Sequence, residues 1–65
     1  MPYDLTPREL EVLGAIGRSG NDTEAANLLL VSPLTVEKHL MNIAAKMGVA
    51  TREEALEQAR REGLL

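Results

Sequence analysis

The chain has 65 residues, a formal net charge of −3, no cysteine, one histidine and a single aromatic residue, Tyr3. These counts exclude a disulfide framework, a thiolate or multi-histidine metal site, and an aromatic platform for stacking single-stranded bases. The acidic balance opposes nucleic-acid binding as a whole-chain property, because neutralising phosphates requires Lys and Arg.

The charge is unevenly placed, however. Between Leu30 and Arg52 the chain carries Lys38, Lys46, Arg52 and His39 against one acid, Glu37. A chain this short holds one domain, 1–65, which buries only about 60% of its unfolded surface. The core must be built from Leu, Ile, Val, Met and Ala. No apolar run is long enough to cross a membrane, and a cytoplasmic setting is expected. Neither a nucleophile–base pair nor a phosphate loop is present, so no enzyme activity and no cofactor are expected.

Four helices are predicted in chain order, giving an all-α fold, a compact four-helix bundle. The first, about 7–19, starts at Thr6-Pro7-Arg8-Glu9. Thr6 caps, Pro7 suits the first helical position and Glu9 closes a capping box. Val12, Leu13 and Ile16 follow at helical spacing, and Gly20-Asn21 ends the segment. The second, about 22–29, repeats the cap-then-Glu pattern in Asn21-Asp22-Thr23-Glu24. Its inner face is Ala25, Ala26 and Leu29, and the small residues permit close helix approach.

The third, about 33–47, opens at Ser32-Pro33. Val36, Leu40, Ile43 and Met47 form one apolar stripe, and Gly48 stops it. The fourth, about 52–62, opens at Thr51-Arg52-Glu53-Glu54, turns Ala55, Leu56 and Ala59 inward, and ends at Gly63. Leu64 and Leu65 are expected to fold back onto the core.

Only Leu30-Val31-Ser32 joins the second and third helices. So short a connection forces a steep crossing, the geometry of a helix-turn-helix. An ordinary helical hairpin has the same spacing, so spacing alone does not establish DNA binding.

The residues Leu5-Thr6-Pro7-Arg8-Glu9, Glu11-Val12-Leu13, Glu24, Ala26, Val31-Ser32, Thr35-Val36, His39, Asn42-Ile43, Lys46-Met47-Gly48-Val49, Arg52 and Ala55 align without a gap with one family. Through them the chain resembles the LuxR/FixJ/GerE-type helix-turn-helix DNA-binding domain from Leu5 to Leu65. A sigma-factor-like domain shares the four-helix plan, but the Thr-Pro-Arg-Glu start and the Lys-Met-Gly-Val end fit the LuxR type better.

The resemblance implies sequence-specific binding of double-stranded DNA in transcription regulation. It places the third helix in the major groove and a homodimer on an inverted repeat. Many members of the family, response regulators among them, carry a receiver or sensor domain upstream, which these 65 residues do not include; an excised domain and a stand-alone member fit the sequence equally. Positions matching Glu37, Lys38 and Met41 reach base edges in the family. Lys38 suits guanine or a phosphate, Glu37 a cytosine amino group, and Met41 a thymine methyl.

Phosphate contacts are expected from Ser32, Thr35, Asn42 and Lys46, with His39 either packed or phosphate-facing. Ala55, Gln58, Ala59 and Glu62 form the expected dimer surface. The chain departs from the family at Glu37, where Lys or Arg is usual, and at Leu34 and Met41, where polar residues are common. Leu10 and Leu28 are expected on the surface. Exposed apolar residues can mark a protein contact. The competing reading is therefore an interaction or dimerisation module on a helix-turn-helix scaffold with weakened DNA binding.

Overall fold

A computed structural model describes residues 2–65. A short 3-10 turn, Pro2–Asp4, precedes four helices: α1 (Pro7–Ser19), α2 (Asp22–Leu29), α3 (Pro33–Met47) and α4 (Arg52–Arg61). No strand forms among the described residues. The starts agree with the sequence-predicted ones because each is fixed by a local side-chain cap. Thr6, Asn21, Ser32 and Thr51 each accept the backbone N–H three residues on. At α1 the capping box is complete, with Glu9 Oε1 accepting the Thr6 N–H at 2.8 Å. The one shifted end is that of α4, which stops at Arg61 with Glu62 as its cap rather than its last turn.

α3 is the central element, packed against α1, α2, α4 and the N-terminal turn. Its stripe of Val36, Leu40, Ile43 and Met47 is buried, together with Ala44. Leu5, Val12, Leu13, Ala15 and Ile16 meet it from the N-terminal half. Ala25 and Ala26 of α2, and Ala55 and Ala59 of α4, complete the core. With only methyl groups at these contacts, α2 approaches α1 and α3 closely, and α4 approaches α3. Leu64 and Leu65 pack against the core edge. Gly17 makes room for this tail, since a Cβ there would lie 3.1 Å from Leu65 Cβ. Leu10, expected on the surface, is half-buried against the core, whereas Leu28 is exposed.

The fourth-helix surface requires a correction. Ala55 and Ala59 have no exposed area, so they are core residues and not a dimer surface. The outward residues of that pattern, Gln58 and Glu62, are engaged by the N-terminal turn. The Tyr3 hydroxyl donates to Glu62 Oε2 at 2.6 Å and accepts from Gln58 Nε2 at 2.7 Å.

Candidate nucleic-acid interface

The turn between α2 and α3 is built by two backbone features and two side-chain contacts. Leu30 adopts the left-handed conformation (φ 59) and ends α2, and the Val31 N–H donates to Ala26 O at 3.0 Å. This six-to-one bond closes a Schellman-type stop. Ser32 then caps α3 immediately, and its Oγ lies 3.0 Å from Thr35 Oγ1. Arg8 reaches over from α1 and donates to the terminal Leu29 carbonyl of α2 at 3.3 Å. The α2–turn–α3 unit is thus held at its joint by backbone and side-chain bonds, which fix the direction in which α3 presents its outer face.

The expected contact residues divide into rows along α3. Residues four and three apart share a helix face. Thr35, His39, Asn42 and Lys46 therefore form one flank, with Ser32 at its N-terminal end. The sequence-predicted phosphate set falls together on that flank. His39 is half-buried there, and Ser32, Asn42 and Lys46 are exposed. Leu34, Lys38, Met41 and Ala45 form the next row, opposite the buried stripe, and all four are exposed. Glu37 lies on the far flank, toward α2 and α4.

Electrostatics distinguish these residues sharply. Lys38 has no hydrogen-bond or ion-pair partner among the described residues, so its ammonium faces solvent. Glu37 has a partner: Arg52 Nη1 lies 3.9 Å from its Oε1. The same guanidinium makes a two-pronged contact with Asp22, at 2.6 and 2.7 Å. Two parallel N–H···O bonds fix both planes. The Arg52 hydrogen bonds hold the Asp22 carboxyl below its ordinary pKa, outweighing partial burial. Arg52 thereby joins the N-terminus of α4 to that of α2 and balances the one acid on α3.

Lys46 serves the fold as well as the surface. Its Nζ donates to Glu9 Oε1 at 2.6 Å and to the Asp4 carbonyl at 3.2 Å. Glu9 is 5% exposed, the only charged residue in the core among the described residues. Burial pushes its pKa up, but the Lys46 hydrogen bond, the Thr6 backbone N–H and the Lys46 charge together hold it below the ordinary value. An ammonium has three donors, and two of those of Lys46 are used here.

Sequence reasoning missed the Arg52–Asp22 bridge and the Tyr3–Gln58–Glu62 cluster. Asp22 and Arg52 read as helix-start residues, and nothing in either local pattern signals a partner 30 residues away. The aromatic count did single out Tyr3, but as an absence of stacking rather than as a tether.

A braced, outward-facing third helix following a three-residue turn defines a helix-turn-helix module. Residues 3–59 match the family model described as "Bacterial regulatory proteins, luxR family", and the chain belongs to that family. Over 57 residues it is 44% identical to the HTH-type transcriptional regulator MalT of Yersinia pestis (strain Pestoides F), a match covering 88% of this chain and 6% of that protein. The HTH-type transcriptional regulator MalT of Yersinia pseudotuberculosis serotype O:3 (strain YPIII) matches with the same identity and coverage. The chain spans only this small fraction of the curated relatives it matches.

Proposed function

We propose that this domain binds double-stranded DNA sequence-specifically in transcription regulation, with α3 in the major groove. The observation that carries this reading is the division of α3 into a buried stripe and an exposed row containing an unpaired Lys38, flanked by the polar row Thr35–His39–Asn42–Lys46. A helix lying in the major groove needs that arrangement, with base edges under the ridge and phosphates at its flank.

In this reading Lys38, Met41 and Glu37 meet base edges. Ser32, Thr35, Asn42 and the spare donor of Lys46 meet phosphates, with His39 behind them. Two copies occupy an inverted repeat, joined through the outer face of α4 around Gln58 and Glu62. The remainder of a longer regulator, a receiver or sensor domain, would control this output.

Four large exposed apolar residues favour a second reading, a protein-interaction module with weakened DNA binding. Leu28, Leu30, Leu34 and Met41 are 54, 91, 59 and 63% exposed. One experiment separates the two. Selection from a pool of random duplexes, followed by titration of the winner at several salt concentrations, is expected to yield an inverted repeat. Binding should fall steeply with salt and weaken in Lys38→Ala. Absence of enrichment, together with self-association lost on changing Leu34 and Met41, would overturn the DNA reading.

A further inference from the structure

We propose that the apolar ridge of α3, Leu34, Met41 and Ala45 around Lys38, reads the C5-methyl groups of thymines on either side of a guanine within each half-site. The inference rests on the DNA-binding reading and specifies what that surface selects.

Leu34, Lys38, Met41 and Ala45 stand four, three and four residues apart, so they form a single row on the helix. The opposite row, Val36, Leu40, Ile43 and Met47, is 0–7% exposed. The row is therefore the outermost line of α3, the one that goes deepest into a groove. Three of its four members carry no polar side-chain atom. Leu34 and Met41 are 59 and 63% exposed and support no packing in the core.

Most features of the major-groove floor are hydrogen-bond donors and acceptors, and the C5-methyl of thymine is its apolar one. Covering base-edge donors or acceptors with Leu34 or Met41 would leave those atoms without partners, which costs more than the contact returns. Covering methyl groups carries no such cost and removes apolar area from water on both sides. Lys38, in the middle of the row and unpaired, suits the O6 and N7 acceptors of guanine. With a rise of 1.5 Å per residue, Leu34 and Met41 stand about 10 Å apart along the axis, or about three base-pair steps.

The same ridge is a poor core for a protein interface. Such cores are depleted of Lys, and here an unpaired ammonium would be buried at the centre. The charge around the ridge also fits DNA. Arg52, 3.9 Å from Glu37, offsets the one carboxylate on that helix.

The test uses the duplex enriched from the random pool, with uracil in place of thymine in one half-site. Uracil pairs as thymine does and lacks only the methyl. Each methyl buried is worth about fourfold in affinity, so removing two should weaken binding about tenfold or more. The Leu34→Ala/Met41→Ala variant, altered only at exposed positions, should bind the thymine and uracil duplexes equally while keeping its salt dependence. Tight, salt-sensitive binding that is indifferent to uracil would overturn the inference and leave DNA binding standing. So would an enriched site without thymines beside a guanine. Failure to enrich any duplex, or self-association through Leu34 and Met41, would overturn both.

Discussion

Lys46 and Glu9, 37 residues apart in sequence, are joined by a 2.6 Å hydrogen bond at the edge of the core. Glu9 therefore acts twice, capping α1 and anchoring α3. The family resemblance made Lys46 a phosphate ligand, and the local capping-box pattern made Glu9 a cap. Their pairing means that a Lys46 variant reports on the fold as well as on DNA.

The first prediction is a division of labour between the two lysines of α3. Lys46→Met leaves the Glu9 carboxylate buried without its cation. Breaking a fully buried pair costs about 3–5 kcal/mol. Lys46 is a third exposed and Glu9 keeps its capping bond, so about 2 kcal/mol is expected here. That lowers Tm by about 10 °C in a domain of this size. Lys38→Met should leave stability unchanged within about 0.5 kcal/mol and reduce the slope of log affinity against log salt by about one. Thermal melts and salt titrations of both variants check the division. Equal melting losses in the two would refute it.

The second prediction concerns acid. Glu9 and Asp22 both have folded pKa values below their ordinary ones. A depressed carboxylate contributes stability that is fully present above its unfolded pKa, about 4, and that is lost as pH falls through the folded value. The domain should therefore hold its stability from neutral pH down to about 5 and lose it progressively below about 4. The Glu9→Gln/Asp22→Asn variant should be less stable than wild type at pH 7, with the gap closing in that same window. Urea midpoints between pH 7 and 2 measure it, and a gap constant with pH would count against both ion pairs.

The third concerns Leu30. It is 91% exposed and sits at φ 59, a conformation that costs a residue bearing a Cβ about 1 kcal/mol or more. Its backbone ends α2, while its side chain adds nothing to the core. Leu30→Gly should therefore raise stability by up to about 1 kcal/mol, with DNA affinity unchanged. A destabilised Leu30→Gly would mean that the leucine side chain holds the turn in a way its exposure does not reveal.

The sequence was most legible where structure is local. All four helix starts follow from a capping side chain and its partner three residues on, as at Thr6–Glu9 and Ser32–Thr35. The buried stripe of α3 follows from spacing alone. The grouping of the α3 candidates into rows was legible too, because those rows obey the same helical period. Contacts between elements were not legible. Arg52 and Asp22 each sit at the first position of a helix, and only packing brings those two helix starts together. Tyr3 and Glu62 lie 59 residues apart. The same limit explains Ala55 and Ala59. Small residues read equally as a close helix contact within the chain or between chains, and the core claims both.

That burial sets the last prediction, on the joining of two copies. Ala59 has no exposed area, and an arginine there has no volume to occupy and no partner for its charge. Ala59→Arg should fail to fold cooperatively, so it cannot test a dimer. Glu62→Arg can, because Glu62 is exposed and, among the described residues, its side chain is held only by the Tyr3 hydroxyl. Tyr3→Phe serves as its control, since it removes the same hydrogen bond without adding a charge. Both should fold, with Tm lowered by similar small amounts. If the outer face of α4 joins two copies on an inverted repeat, Glu62→Arg alone should bind the full repeat no more tightly than a single half-site. Tyr3→Phe should keep the gain from the second half-site. Equal behaviour of the two variants on full and half sites would place the contact between copies elsewhere than at Gln58 and Glu62.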